Sequence, residues 1–556
     1  MHEHKVFDPY LEPLLIGREP RLHRYVSSLA EFRNWVLTEV DAQANYTDRY
    51  APPALETYDR EGNIINRVVT NGWYDSQHQE IYRRGAIGLP YSEGAPHLLS
   101  FVFGFLLSQA DISLHCPVTL TGAVAYVLGN HATESVRDKF LHEVVRMDGR
   151  TATGGTWATE KHGGSDVGAT TTTATPSDGH FALHGLKWFT SNANSGLALA
   201  TARPEGAGPG AAGLGLYLVP SRQEDGSSNH FIIRRLKDKL GTKGLPTGEI
   251  ELLGAEAAEV AGPPQGFKLM MAALEYSRVH NAVGAAGVQR RALGEAIQWA
   301  KSRKAFGHTL AEYPMVQEEM LRMRVRFEAG TLLAFEAALA FDQSLHDAKK
   351  NTWLRLVTAL AKYLTAEDAI GSARATLELI GGNGYTSDYP IARIYRDAQV
   401  LTVWEGPANI QALELLRLLA PKYAGSAQYE ARVRGVIDAM PDALSELRRG
   451  LASRLKEDMS AIATVTADES SAQRYARKLL HRLSQSLAFA LVCEVAGQAY
   501  PTGDERRTLT AKRYYEELEF PKIGGEDEQV RRAALEVLED ECSSEPGRAE
   551  AANGDS

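Results

Sequence analysis

Cysteine is scarce in this chain. Cys116, Cys493 and Cys542 are the only three, widely separated, and they make neither a metal-ligand spacing nor a disulfide framework. A reducing compartment, by default the cytoplasm, is therefore the expectation, with no metal site. Long apolar runs are also missing. The longest, about Leu98–Leu107, falls far short of the ~20 residues that cross a bilayer, so no membrane span is expected. The opening MHEHKVFDPYLEP carries no apolar signal core and lacks the Arg-rich, acid-poor pattern of a transit peptide. Positive charge is in deficit: 60 Lys+Arg against 70 Asp+Glu leave −10, which disfavours a general polyanion binder but leaves room for a local basic patch. What remains is an ordinary soluble composition, 44% hydrophobic and 23% charged, in a 556-residue chain too long for one core. Two to four domains are expected.

Residues 1–150 read mostly as helix. Leu29–Val40, Gln77–Gly85, His97–Asp111 and Ser135–Met147 have helical apolar spacing, broken by stretches such as Ala51-Pro52-Pro53. At Thr151 the pattern changes to short strands: Thr170–Thr175, Phe181–Thr190, Leu197–Ala202, Leu214–Val219, Phe231–Arg234 and Glu249–Leu253, with Asp178-Gly179 as a hairpin turn. Residues 151–262 are thus expected to form a β-barrel-like domain. Helical period returns in Gly266–Lys304, Tyr313–Gln343 and Asn351–Ile380, each long enough for a bundle helix, so 263–420 reads as a four-helix-type bundle. An extra helical region follows over 421–542, with helices near Tyr429–Glu446, Leu447–Thr464, Ser471–Ala499 and Glu528–Glu541, and then a small, charged tail, 543–556, expected to be disordered. The composite is an α+β chain.

Chemistry concentrates in Glu378–Gln411. Gly381-Gly382-Asn383-Gly384-Tyr385 allows a sharp turn, and the apolar run Leu401–Trp404 ends in one carboxylate, Glu405, backed by Gly406 and Pro407. A carboxylate so placed is open to desolvation, which would raise its pKa into the range of a useful base; a helix-capping acid fits the same residues. Trp157–Gly168, WATEKHGGSDVG, has the hydroxyls and glycines of a loop that wraps a polar cofactor, though such loops also serve as plain turns, and His162 within it reads as solvated. In Gly185–Asn192, GLKWFTSN, an aromatic beside hydroxyl donors suits a flat heteroaromatic ring, or simply an ordinary strand. Arg303 in KSRKAFG could clamp a pyrophosphate or merely satisfy a helix dipole.

TEKHGGSDV, GLKWFTSN, SRKAFG, GGNGY and RDAQVLTVWEG together, in this order, resemble the acyl-CoA dehydrogenase family over about residues 90–420. PPALETYDREG (Pro52–Gly62), CPVTLT (Cys116–Thr121), RLKDKLG (Arg235–Gly241) and the C-terminal extension resemble its AidB-like branch. The resemblance implies FAD between the β domain and the bundle, with Trp157, Thr159, Gly164, Phe189 and Ser191 near it and Ser165 between its pyrophosphate and the acyl-CoA thioester substrate. It places Arg303, Phe306, Glu378 and Gly382 on the FAD of a neighbouring subunit, with Pro407 and Asn409 also at the cofactor, which implies a dimer and then a dimer of dimers. Glu405 matches the family's catalytic base, while Arg278, Tyr385, Trp404 and Gly406 would stand at the substrate. The reaction implied is α,β-desaturation: Glu405 takes the α-proton, hydride leaves Cβ for flavin N5, and an electron-transfer flavoprotein or similar acceptor takes the electrons onward. One branch of the family carries its base just before the bundle arginine, and Ser277 occupies that place here.

The departures lie at the adenosine end of FAD, where Glu378 and Pro314 replace glutamines and Pro407 replaces a threonine. Competing readings are a DNA-associated flavoprotein of the alkylation response, an acyl-binding regulator with little turnover, and an oxidase. The region from Pro421 onward holds 19 Lys+Arg and 24 Asp+Glu, which argues against a DNA-binding face, although Arg474, Arg477, Lys478 and Arg482 recur at helical spacing.

Overall fold

A computed structural model describes residues 6–520 and residue 523. The helix expected over Glu528–Glu541, the tail 543–556 and Cys542 lie outside the described residues. Helices, a closed sheet, a long-helix bundle and further helices follow one another along the chain, the α+β order read from the sequence.

The N-terminal part departs from all-helix in one place. Around the Pro52-Pro53 break, Ala54–Tyr58 and Ile64–Val69 pair as an antiparallel hairpin. Asn66 fastens it to the β domain, donating from Nδ2 to the Phe231 carbonyl at 2.6 Å and accepting from the Ile233 N–H at 2.9 Å. A second departure is Ile112–His131, one continuous helix despite Pro117 inside it. With Glu469–Thr502 it is long and apolar enough to cross a membrane, yet 89% of each apolar window is buried within the fold. Both are core helices here, and the apolar stretch Leu98–Leu107 is a buried helix beside them.

The sheet is organised by the 15-residue strand Thr247–Ala261, which pairs with His180–Ser191, Gly215–Pro220 and Phe231–Leu236. Leu197–Pro204 pairs antiparallel with Gly215–Pro220 and parallel with Gly154–Trp157 and Thr173–Ser177, so the sheet closes on itself. Closure hides the edges that an open sheet would expose. Gly154–Trp157 is too short and glycine-rich for strand periodicity to reveal.

Three antiparallel helices, Gln265–Ser302, Pro314–His346 and Asn351–Ile380, form the bundle, and Glu469–Ala499 packs onto the second and third. Arg18 and Arg432 both reach Glu336 and Glu494. These pairs tie the N-terminal helix, the bundle and the C-terminal region into one body. Arg482, one member of the basic spacing, is buried against Asp458 (2.7 Å) and Glu457 (2.9 Å). The sequence stripe is therefore not a single solvated face.

Candidate active site

The site forms where the chain turns between the short helix Val400–Val403 and the helix Ala408–Leu419. Two consecutive residues make that turn in the left-handed region, Glu405 at φ 58° and Gly406 at φ 94°. Gly406 adopts this at little cost, whereas a side-chain-bearing residue there is strained, a feature that clusters at functional sites. The turn is held from three directions. Arg278 Nε (3.0 Å) and Gln411 Nε2 (3.1 Å) donate to the Glu405 carbonyl. Lys362 Nζ donates to the carbonyls of Gly406 (2.9 Å) and Thr402 (3.3 Å).

So fixed, the Glu405 carboxyl faces inward, and its Oε2 is buried without a hydrogen-bond partner. Desolvation raises its pKa to about 7, against the opposing pull of the Arg278 and Lys362 cations. The Lys362 ammonium is itself lowered to about 8 by burial. A cavity of about 10 Å³, room for roughly one water, is lined by Glu405 and Trp404, by His115, Cys116, Thr119 and Leu120, and by Ser277 and Asn281. Trp404 Nε1–H donates to Asn281 Oδ1, and Asn281 Nδ2 donates to the Leu401 carbonyl at 3.2 Å. Behind this wall His115 and His280 touch at 3.2 Å, and burial drives both well below the usual histidine range.

On the β-domain side, Phe189 and Ser191 share one face of the strand His180–Ser191, and Phe189 is 57% exposed. The Trp188 N–H donates to the Thr159 carbonyl at 2.9 Å, which sets the WATEKHGGSDVG loop beside that face. A Cβ on Gly164 would lie 2.4 Å from Thr159 Oγ1, so the loop's tight return needs glycine. Ser191 Oγ lies 3.3 Å from Thr247 Oγ1. Among the described residues, no His, Cys, Asp and Glu cluster suits a metal ion.

Other expected site residues are found in the β-domain core, beside Glu405 or on the surface. Trp157 is 2% exposed, its ring centroid 5.7 Å from that of Phe231; it is a β-domain core residue. Tyr385 is 85% exposed and does not line the Glu405 cavity. The Arg278 guanidinium is engaged with the Glu405 carbonyl and with Glu275 at 3.3 Å, so it positions the base. Glu378 is exposed and pairs with Arg374 at 3.0 Å. Arg303, Phe306 and Gly382 lie where the first and third bundle helices end, with Phe306 95% exposed; Ser165, Pro407 and Asn409 are also exposed.

Three family models match in sequence order: the adaptive response protein AidB N-terminal domain over residues 23–148, the acyl-CoA dehydrogenase middle domain over 155–254 and the acyl-CoA dehydrogenase C-terminal domain over 264–419. Acyl-CoA dehydrogenase family member 11 of Caenorhabditis elegans is 30% identical over 513 residues, covering 87% of this chain and 81% of that one. This chain belongs to the acyl-CoA dehydrogenase family, in its AidB-like group. AidB of Escherichia coli (strain K12) is 30% identical over 410 residues, covering 71% and 72% of the two chains. The crystal structure of C. elegans ACDH-11 in complex with C11-CoA superposes with a TM-score of 0.88 at 27% identity, over 97% of this chain and 95% of that one. The same fold recurs in butyryl-CoA dehydrogenase from Megasphaera elsdenii, at a TM-score of 0.60 and 22% identity.

Within this acyl-CoA dehydrogenase fold, sequence reasoning passed over Lys362, Asn281 and His115, and met Cys116 and Thr119 only in the cysteine inventory and the branch motif. One local signal was available: Lys362 is a lone cation in an apolar helical stretch, Leu356–Thr365. The others announce nothing until their helices are packed.

Proposed function

We propose that the protein is an FAD-dependent acyl-CoA dehydrogenase that desaturates an acyl thioester between Cα and Cβ, with Glu405 as the α-proton base. The observation that carries this reading is the Glu405 carboxyl itself, its Oε2 buried and unpartnered and its pKa about 7, on the wall of a cavity shared with Trp404 and Cys116. A thioester α-proton is weakly acidic, and a general base poised near neutrality meets that need. Strain at Glu405 and the three clamps on its loop hold the carboxyl in one direction, which supplies orientation at no cost during the reaction.

The residues fit FAD. An exposed aromatic face at Phe189, the Ser191 hydroxyl and the close return at Gly164 suit a flat, polar-edged ring, and Thr159 would hold its neighbouring edge. FAD, when bound, supplies the two-electron acceptor for the hydrogen leaving Cβ. Trp404 would seal the acyl side and exclude water, which keeps the Glu405 carboxyl poised. The exposed Phe306, with Arg303 and Gly382, is where a second copy would be met, in keeping with a dimer of dimers. An electron-transfer flavoprotein is the chemical class of partner that would take the electrons onward, and the cytoplasm is the proposed compartment. The test is an anaerobic titration of the flavin-loaded protein with thioesters of graded acyl length. Flavin absorbance bleaches with the wild type and stays with Glu405→Gln; no bleaching with any thioester would leave a binder rather than an enzyme.

A further inference from the structure

A second cavity, of about 360 Å³, opens between the N-terminal helices and the first bundle helix, on elements other than those that carry the Glu405 loop. Arg33, Leu37 and Gln109 line it from the N-terminal part, and Arg290, Arg291, Gln298 and one carboxylate, Glu295, line it from the bundle helix. Arg33 ends an α-helix, Val26–Trp35, and Leu37 lies in the wider π-helical turn Val36–Val40 that continues it. Such a turn is frequent at functional sites, because it displaces side chains from regular helical directions.

The cations here are unevenly matched. Arg290 pairs with Asp8 at 2.9 Å, and Arg291 pairs with Asp41 at 2.8 Å and Glu295 at 2.7 Å. Asp41 is further engaged by Arg393 at 2.9 Å, so the neighbouring carboxylates are already committed. Among the described residues, Arg33 has no carboxylate within ion-pair distance. Its Nε is buried without an acceptor, and so is Nε2 of Gln109, a residue only 2% exposed. Burial and then the nearby Arg290 charge pull the Arg33 pKa below the ordinary arginine value, against an opposing pull from the Asp8 carboxylate. Leaving buried donors unmet costs free energy, and more for a charged group than for a neutral one. An acceptor-rich anion in the cavity would remove that cost.

We propose that this cavity binds the phosphoryl group of a small organic phosphate, with Arg33 and the Gln109 side-chain amide as its principal donors and Arg290 beside them. A tetrahedral oxyanion accepts from several directions at once, which suits a guanidinium and an amide converging from different helices. The volume is that of a small-molecule site rather than of a bare ion. This site stands independently of the dehydrogenase reading.

Calorimetric titration of the full-length, flavin-loaded protein tests it, at matched ionic strength, with inorganic phosphate, glycerol 3-phosphate and succinate as probes. Glycerol 3-phosphate is expected to bind saturably at one site per chain, with phosphate weaker and succinate weaker still. Arg33→Met should weaken glycerol 3-phosphate roughly tenfold or more, and Arg33→Lys by less, since it keeps the charge and loses the planar fork. If Arg33→Met fails to fold, Gln109→Leu serves in its place, with the same loss expected. The proposal is overturned if neither phosphate compound gives saturable heat, if both folded variants bind as the wild type does, or if succinate binds as tightly as glycerol 3-phosphate.

Discussion

Replacing Glu405 by glutamine separates the cost of holding the base from its use. The folded protein keeps this carboxyl at a pKa of about 7, against an ordinary glutamate value of 4.5. Below about pH 4.5 the group is neutral in folded and unfolded chains alike, and it contributes nothing to the pH dependence of stability. As pH rises from 4.5 towards 7 the unfolded chain ionises freely while the folded one resists, so wild-type stability declines through this window. Above about pH 7 the decline levels off. The gap between the two values corresponds to roughly 3 kcal/mol. Glutamine has nearly the same shape and no charge to desolvate. Glu405→Gln should therefore differ little from wild type at pH 4.5 and gain roughly 3 kcal/mol by pH 8. Urea unfolding of both proteins across pH 4.5–8.5 reads this directly, and flavin bleaching by an acyl thioester should fall by about 10²–10⁴ in the variant. A stability difference that stays flat across the range would refute the claim that burial sets the pKa of this carboxyl.

Three further outcomes follow from the same geometry. Lys362→Met removes a cation that favours ionised Glu405, so the acid limb of the pH–rate profile for bleaching should move to higher pH, by on the order of one unit. Trp404→Phe leaves Asn281 Oδ1 without its indole donor, which should cost about 1–3 kcal/mol in urea unfolding, with a shift toward bulkier acyl groups in the thioester series. Gly406→Ala forces a Cβ to within 3.0 Å of Gln411 Nε2 and Ile410 Cγ2 at φ 94°; about 1–2 kcal/mol of stability should be lost, and bleaching should slow as Glu405 turns away.

Much of this protein was legible in its sequence. The alternation of helical period, strand pattern and helical period is local, so the order helices, closed sheet, bundle and further helices could be read without coordinates. Glu405 could be singled out because its signal is also local: an apolar run, one acid, a glycine and a proline in adjacent positions. The hairpin after Pro53 and the helix through Pro117 went unread because tertiary packing overrode local breakers. The chemistry around the base was decided only by the fold. His115, Asn281, Lys362 and Glu405 lie on separate helices and turns, and the exclusion of water that raises the Glu405 pKa is a property of their assembly. Trp157 shows the converse, an aromatic in a motif loop that the sheet claims for its core. Sequence carries residue identity and local period; burial, partners and electrostatics arise from what distant segments do to one another's solvent.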